Sequence, residues 1–278
     1  MSNTVIRVLT SLVVGPVVLA GIYLGGWWLF PIILLISVVA TWELLLMTRT
    51  RDFHPNLWFS IGLSVLYPVC FMNVIPNVSY YHILVGSLFV IPLVELFRNK
   101  PNPTINIAIT IFGSSYVGIG IGSFLGIRQI IDSPVLDPAL GWLGLAVIFS
   151  VWMCDTFAFF GGVNFGRTPL MPRISPKKTW EGTLSGFVAA VITMVLFGWL
   201  TPIGNLQITT FELVMIGSVI GALGTLGDLV ESLIKRDFGV KDSSKIIPGH
   251  GGMFDRFDSL ILVAPIVYLY LLVMVFPG

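Results

Sequence analysis

The sequence predicts an all-α polytopic membrane protein with about nine transmembrane helices, a cytoplasmic N-terminus and a C-terminus outside. The first observation is composition: 55% of the 278 residues are hydrophobic, 10% are charged, and the mean hydropathy is +0.93. Ordinary soluble domains carry about 25% charged residues. The second observation is a series of long apolar runs, and the third is the one-sided distribution of basic residues between those runs.

Each predicted span is an apolar run of about 20 residues, the length that a helix needs to cross the hydrocarbon core. Nine runs qualify, at residues 5–24, 27–47, 57–75, 80–97, 105–126, 140–160, 183–200, 211–233 and 259–276. Pro68, Pro76 and Pro92 interrupt the third and fourth runs, but transmembrane helices tolerate kinking prolines. The first run lacks a small-residue cleavage site, so we expect it to be retained as a span and not removed as a signal peptide.

Basic residues predict the orientation of these spans. With the N-terminus in the cytoplasm, 14 of the 15 lysines and arginines fall on the cytoplasmic side, and only Arg128 falls outside. Basic residues near span ends are retained in the cytoplasm. The two longest hydrophilic segments, 161–182 and 234–258, share that side, so we expect the functional residues there. The net charge of +1 gives no indication of nucleic acid binding.

The length of the chain suits one helical bundle. We therefore expect a single integral membrane domain, 1–278, with an N-terminal helical bundle at 1–139 and catalytic helices and cytoplasmic loops at 140–278. Cys70 and Cys154 lie in apolar runs without a CxxC or Cys/His ligand spacing, so we expect buried thiols.

Acidic residues gather near the predicted cytoplasmic ends of three spans. Asp155 lies in the sixth span, Asp228 and Glu231 lie in the eighth, and Asp255 and Asp258 open the ninth. Asp255 and Asp258 are three residues apart and therefore share a helix face. Carboxylate oxygens are the natural ligands of magnesium. We predict that Asp228, Asp255 and Asp258 hold Mg²⁺, with or without a second cation.

Two other interpretations apply to these acids. Acids in the first turn complement the helix macrodipole, which would explain Asp255 or Asp258 as a cap. On the eighth span, Glu231 and Lys235 have the spacing of an ion pair on a polar stripe that reaches the surface. Asp155 is either a supporting carboxylate or the partner of a buried base.

Basic and glycine-containing segments accompany the acids. "RISPKKTWEG" (173–182) is a cationic loop that leads into a helix, and "KRDFGVKDSSK" (235–245) adds further cations. "PGHGG" (248–252) supplies backbone that can approach a ligand closely, and "GGVNFGR" (161–167) is predicted to be a glycine-rich turn. Metal ligands combined with lysine, arginine and glycine backbone are typical of phosphoryl and nucleotidyl transfer. The positive-inside rule explains the lysines but not the histidine or the glycines.

The segment "SLIKRDFGVKDSSKIIPGHGGMFDRFD" (232–258) resembles the motif of the phosphatidate cytidylyltransferases, also called CDP-diacylglycerol synthases. The matching residues are Ser232, Lys235, Arg236, Lys241, Asp242, His250, Gly251, Gly252, Asp255, Arg256 and Asp258. "SPKKTWEG" (175–182), "GD" (227–228) and "DTFAFFGGVNFGR" (155–167) also resemble family features in the expected order. Residues 1–140 resemble the family only in being apolar spans.

The resemblance implies transfer of the cytidylyl group of CTP to phosphatidic acid, giving CDP-diacylglycerol and pyrophosphate for phospholipid biosynthesis. It also implies a magnesium requirement, membrane lipids around the site, and a homodimer. The compact chain, without a targeting extension, indicates a bacterial plasma membrane with the site facing the cytoplasm.

The resemblance also implies roles for individual residues. The implied catalytic residues are Asp228, Asp255, Asp258, Lys235 and Arg236. The implied substrate-binding residues are Ser175, Lys177, Lys178, Lys241, Asp242, His250, Gly251, Gly252 and Arg256.

The main alternative is an ion-coupled secondary transporter with a cytoplasmic-side carboxylate site, since acids within the membrane also mark ion pathways. A transporter predicts polar residues spread across the bilayer depth and broken helices near the midplane. In this sequence the acids cluster at one predicted face. A CDP-alcohol phosphotransferase would need a D-G-x-x-A-R arrangement, which is absent, and a membrane scaffold gives no reason for the His-Gly-Gly segment.

Overall fold

Helices account for most of the residues that the computed structural model describes, which are 3–131, 137–244, 246 and 251–276, with side chains from residue 12 onward. Those helices are α1 (Asn3–Leu24), α2 (Gly26–Thr48), α3 (Leu57–Phe71), α4 (Tyr80–Leu96), α5 (Pro103–Arg128), α6 (Pro138–Phe165), α7 (Trp180–Leu200), α8 (Thr210–Asp237) and α9 (Phe254–Tyr270). Each lies on one predicted apolar run, so the all-α class is confirmed. A two-stranded antiparallel hairpin, β1 (Pro169–Met171) and β2 (Ser175–Thr179), joins α6 to α7.

Six of the described helices are long and apolar enough to cross a membrane, namely α2, α5, α6, α7, α8 and α9, the last continued by a π-helical turn to Val275. Helices α3 and α4 have 15 and 17 residues. At 1.5 Å per residue they span about 22 Å and 26 Å, less than the roughly 30 Å of the hydrocarbon core. The structure therefore supports an integral membrane protein. The count of nine spans and the orientation of the termini stay predictions. Lys245, one of the basic residues that predict the orientation, and the C-terminal Gly278 lie outside the described residues.

Two groups of helices meet at α9. Helix α5 packs against α2, α3 and α9, while α6, α7 and α8 pack on one another. The contact between α5 and α9 is close, because a Cβ atom on Gly120 would lie 2.6 Å from the carbonyl oxygen of Ile261. Helix α9 also packs against α8, so its position depends on both groups. Helix α9 is therefore one of the places where the N-terminal and C-terminal halves of the chain are joined.

Helix α6 continues through Phe165, so the prediction of a glycine-rich turn at 161–167 is wrong for most of its length. The glycines instead allow α6 and α7 to approach each other. A Cβ atom on Gly182 would lie 2.5 Å from the carbonyl oxygen of Ala158 and 3.0 Å from Gly162. Small residues are common where membrane helices pack closely. Glycine is common both in turns and at close helix contacts, and the local sequence does not show which of the two roles a given glycine has.

Contacts between connecting segments show which helix ends lie together. The Thr50 hydroxyl, after α2, donates a hydrogen bond to the carbonyl oxygen of Phe238 after α8, at 2.6 Å. The backbone N–H of His54 donates to Asn106 Oδ1 at the start of α5, at 2.8 Å. These segments carry basic residues that the charge pattern places on one side of the membrane. Which face of the membrane this is stays a prediction.

Cysteine labelling tests the orientation. Cys70 and Cys154 are free and buried, as expected, so their background labelling should be low. We expect Asn205→Cys, in the exposed segment between α7 and α8, to react with a membrane-impermeant maleimide in intact cells. Asp52→Cys, in the exposed segment after α2, should react only after permeabilisation, because 14 of the 15 basic residues predict that its side is cytoplasmic. The opposite pattern would reverse the topology.

Candidate active site

The central feature of the site is a contact between α8 and α9 that brings the carboxylates of Asp228 and Asp258 within hydrogen-bonding reach of each other. Gly227 permits this contact, because a Cβ atom there would lie 2.7 Å from Ser259 Cα and 2.8 Å from the carbonyl oxygen of Asp258. The Ser259 hydroxyl lies 3.1 Å from the carbonyl oxygen of Gly224 and 3.2 Å from Asp228 Oδ1. The two helices are therefore held together at the depth of the two aspartates.

Lys178 on β2 supplies a cation to this pair. Its Nζ atom lies 2.6 Å from Asp228 Oδ2 and donates a second hydrogen bond to the carbonyl oxygen of Thr225, at 3.3 Å. Asp155 on α6 lies close enough to interact electrostatically with both Asp228 and Lys178, and its side chain is exposed. The structure thus brings together three of the predicted acids, from α6, α8 and α9, with one of the predicted lysines.

The hairpin that carries Lys178 is fixed at its base. The Glu181 carboxylate accepts hydrogen bonds from the backbone N–H groups of Arg167 and Thr168, at 3.1 and 3.2 Å. Thr179 is the N-cap of α7, and its side chain accepts from the N–H of Gly182. Thr179 thus satisfies an N–H group that α7 itself leaves without a partner, and Glu181 satisfies N–H groups of the chain that enters the hairpin. The hairpin is therefore tied to the first turn of α7 at the position where Lys178 reaches α8.

A second cluster lies beside the first, with Lys235 between two carboxylates. Its Nζ atom lies 2.6 Å from Glu231 Oε1 and 2.9 Å from Asp255 Oδ1. The ion pair between Glu231 and Lys235 is thus confirmed. Glu231 is only 3% exposed, however, so the interpretation of a stripe that reaches the surface is wrong for this residue. Removing one partner of a buried pair leaves an uncompensated charge and typically costs about 3–5 kcal/mol.

Asp255 also accepts hydrogen bonds from backbone at the start of α9. The N–H of Gly252 lies 3.1 Å from Asp255 Oδ2, and the N–H of Ser243 lies 3.1 Å from the same oxygen. The capping interpretation therefore describes what Asp255 does here, together with its contact to Lys235. A metal-ligand role for Asp255 stays a prediction.

The other predicted residues lie around these clusters at the surface or partly covered. The exposed ones are Lys177, Arg236, Lys241, Asp242 and Arg256. Ser175 is half-buried at the start of β2, Gly251 has a φ of 84°, and Gly252 is buried. His250 lies outside the described residues.

The acidic side chains of the site are candidate ligands for a hard divalent cation. Among the described residues, no group of three or more His, Cys, Asp or Glu side chains is arranged to hold a metal ion. Asp228 and Asp258 do lie together, and two adjacent carboxylates repel each other unless a proton or a cation lies between them. Mg²⁺ is usually bound by one or two carboxylates and completes its coordination with water and substrate phosphates. The pair therefore has the donor chemistry of a Mg²⁺ site, and binding of Mg²⁺ stays a prediction.

Sequence reasoning missed two residues of this region, both in the N-terminal half. Glu43 on α2 is a fully buried carboxylate that contacts the segment between α8 and α9. Tyr116 on α5 has a buried hydroxyl without a hydrogen-bond partner among the described residues, in electrostatic range of Asp258 and Glu231. A single acid inside an apolar span is costly and marks a functional or structural contact, which is the signal that could have identified Glu43.

Comparisons with known proteins decide the family. Residues 5–274 match the model of the Cytidylyltransferase family. The chain belongs to this family. The match includes the N-terminal half, where the sequence motifs alone show only apolar spans. Family membership also leaves the transporter alternative without support.

Relatives named phosphatidate cytidylyltransferase cover almost the whole chain. The protein from Thermotoga maritima is 32% identical over 275 residues, covering 97% of this chain and 96% of the relative. The protein from Staphylococcus haemolyticus is 31% identical, covering 97% and 99%. Phosphatidate cytidylyltransferase 4, chloroplastic, from Arabidopsis thaliana is 35% identical, covering 94% of this chain and 70% of the relative.

Replacement of Gly227 tests the contact between α8 and α9. Gly227→Ala should lower stability by about 1–3 kcal/mol, because the added methyl group meets the backbone of α9. The matched control is Gly62→Ala on α3, where a Cβ atom has nothing within 4 Å. Both changes bring the same gain of roughly 1 kcal/mol in helix propensity. The difference between the melting temperatures of the two variants in detergent therefore measures the steric clash of the added methyl group with α9. Equal melting temperatures would contradict the close contact.

Proposed function

We propose that the protein transfers the cytidylyl group of CTP to phosphatidic acid, giving CDP-diacylglycerol and pyrophosphate for phospholipid biosynthesis. The observation that carries this proposal is the match over 97% of the chain to relatives named phosphatidate cytidylyltransferase. The grouping of Asp228, Asp258 and Lys178 at one end of the bundle supports it, because carboxylates and lysines are what a reaction between phosphates needs. We further propose a homodimer in a bacterial plasma membrane, with the site facing the cytoplasm.

The main barrier to this reaction is repulsion between two anions. A phosphate monoester is largely ionised near pH 7, since its second pKa is about 6, so the lipid phosphate needs no strong base. CTP carries several negative charges, and unit charges a few ångströms apart repel strongly in a site of low dielectric. Catalysis therefore depends on positioning the two phosphates and neutralising their charge.

In the proposed step, an oxygen of the lipid phosphate attacks the α-phosphorus of CTP, in line with the leaving group. A bond forms between that oxygen and the α-phosphorus while the bond from the α-phosphorus to the oxygen bridging to the β-phosphorus breaks. Pyrophosphate leaves with the electron pair of the broken bond. Asp228 and Asp258, with Asp255 as a further predicted ligand, would hold Mg²⁺, with or without a second cation. The bound ion would neutralise charge on the triphosphate.

The basic residues of the two cytoplasmic segments bind phosphates in this proposal. Lys178 already contacts Asp228, so it lies where a phosphate next to the metal would be bound. Lys235, which contacts Glu231 and Asp255 and so keeps the start of α9 in place, is also proposed to bind phosphate. The exposed residues of the same segments are accessible to a soluble nucleotide and serve as its first contacts, namely Lys177, Arg236, Lys241 and Arg256. Ser175, Asp242, His250, Gly251 and Gly252 are proposed to orient the substrates.

Removal of one metal-binding carboxylate tests the function. Asp258→Asn should lower the formation of CDP-diacylglycerol and pyrophosphate from CTP, Mg²⁺ and phosphatidic acid by roughly 100-fold or more, since a transition-state charge loses its stabilisation. The measurement is product formation by the purified protein in lipid nanodiscs. The control is Asp52→Asn, an exposed acid outside the site whose side chain is 84% accessible.

Two results would contradict the proposal. Full activity of the Asp258→Asn protein would remove this carboxylate from the catalytic site. An inactive wild-type protein that instead moves ions across liposome membranes would replace the enzymatic function altogether.

A further inference from the structure

The carboxylate of Glu43, on α2, is fully buried and surrounded by donors from the segment between α8 and α9. The backbone N–H of Met253 donates to Glu43 Oε1 at 3.0 Å, and that of Phe254 donates to Oε2 at 2.8 Å. The Ser243 hydroxyl donates to Oε2 at 3.0 Å, and the Ser244 hydroxyl donates to Oε1. Each carboxylate oxygen thus accepts one N–H and one hydroxyl.

Glu43 makes the capping contacts of α9 that neither its N-cap residue nor Asp255 makes. The first N–H groups of a helix have no partner within the helix and need an acceptor when they are buried. The N-cap residue of α9, Met253, has helical backbone angles and makes no side-chain capping bond. Asp255 accepts the N–H of Gly252, and Glu43 accepts those of Met253 and Phe254. The negative charge of Glu43 also lies at the positive end of the helix dipole.

Gly252 is the residue that lets Glu43 reach the start of α9. A Cβ atom at this position would lie 2.6 Å from Glu43 Oε2 and would also overlap the Ser243 hydroxyl. Any larger residue would therefore displace the carboxylate or the serine. This contact gives the second glycine of the His-Gly-Gly segment a physical reason that the local sequence does not contain.

The turn that follows α2, Arg49–Arg51, also holds the other end of the same segment. The Thr50 hydroxyl donates to the carbonyl oxygen of Phe238 at 2.6 Å, and Arg51 Nε donates to that of Asp237 at 3.0 Å. These carbonyls are at the C-terminus of α8, where the last carbonyls have no partner within the helix. The chain from the end of α8 to the start of α9 is therefore attached at one end to the turn after α2 and at the other end to α2 itself.

We propose that Glu43 is a positioning residue of the catalytic site, which fixes the start of α9 and, through it, the carboxylate of Asp258. Asp258 is one helical turn after Phe254 on the same rigid helix, so a shift of the helix start moves Asp258 relative to Asp228. A displacement of about 1 Å can lower a rate about 100-fold. The kinetic part of this inference rests on the proposed function, whereas the anchoring of the segment does not.

A carboxylate is required because four donors converge on two oxygens. In the Glu43→Gln variant, the side-chain amide would have one oxygen and one NH₂ group, so a backbone N–H of Met253 or Phe254 would face another donor. Aspartate keeps both oxygens but is one methylene shorter, so it should recover only part of the contacts.

The test compares Glu43→Gln, Glu43→Asp and the matched control Glu212→Gln in the full-length protein. Glu212 caps α8 at the opposite end of that helix, where its carboxylate accepts the N–H of Thr209 at 2.6 Å. The first measurement is hydrogen exchange of the Met253 and Phe254 amides, whose protection depends on Glu43. The second is kcat/KM for CTP with phosphatidic acid in nanodiscs.

We expect Glu43→Gln to accelerate exchange at the two amides about 10-fold or more and to lower kcat/KM roughly 10- to 100-fold. Glu43→Asp should be intermediate in both measurements, and Glu212→Gln should change neither. A merely structural role would lower the melting temperature and leave kcat/KM of the folded protein unchanged, which would contradict the positioning role. If Glu43→Gln cannot be purified in folded form, Ser244→Ala, which removes one donor, should show a smaller change of about threefold in both measurements.

Unchanged exchange at Met253 and Phe254 in the glutamine variant overturns the proposal. Accelerated exchange with wild-type kcat/KM overturns the positioning role. A wild-type protein that makes no CDP-diacylglycerol refutes the proposed function instead, and the exchange measurement then decides on its own whether Glu43 anchors the segment.

Discussion

A carboxylate within an apolar helix bundle is stable only when donors or cations surround it, and this constraint organises the functional end of the protein. Asp228 has Lys178, Asp255 has Lys235 and two backbone N–H groups, and Glu43 has four donors from the segment before α9. The contacts of Asp228 with Lys178 and of Glu43 with its donors join elements that are distant in the chain. Satisfying the charges therefore also determines how α2, α8, α9 and the hairpin are placed.

The close packing of helices is the second requirement, because short acidic side chains reach one another only if their backbones are close. Gly227 brings α9 against α8 next to the pair of aspartates, and Gly252 leaves room for Glu43. These two glycines act through the space that they leave for atoms of other elements. The polar contacts and the helix packing are consequently parts of one arrangement, and a change in either one disturbs the other.

The location of the cluster suits the proposed reaction between a soluble nucleotide and a lipid phosphate. Asp228 lies near the end of an apolar helix, and the exposed lysines follow in the segments beyond it. Acidic side chains alone near the end of an apolar helix would be energetically unfavourable, because like charges repel. Lysines alone would serve only to orient the spans. Their combination at one end of the bundle supports the proposal that two phosphates of like charge are held together there.

Much of the fold and part of the site could be predicted from the sequence. The helices coincide with the apolar runs because the length and hydrophobicity of a span are local properties. The pair of Glu231 and Lys235 follows from helical spacing, and the motif at 232–258 indicates the family that the comparisons then confirmed. The interpretation of 161–167 as a turn failed because glycine has both a turn role and a packing role, and only the neighbouring helix decides between them.

The sequence by itself therefore determined the helices, the family and which residues carry charge in the two polar segments. Only the tertiary structure decided their partners: Lys178 meets Asp228 across 50 positions, and Glu43 meets the N–H of Phe254 across 211 positions. The physical reason is that such contacts depend on how whole helices pack. Packing is determined by the shapes of small residues on several elements at once, whereas periodicity and composition describe one element at a time.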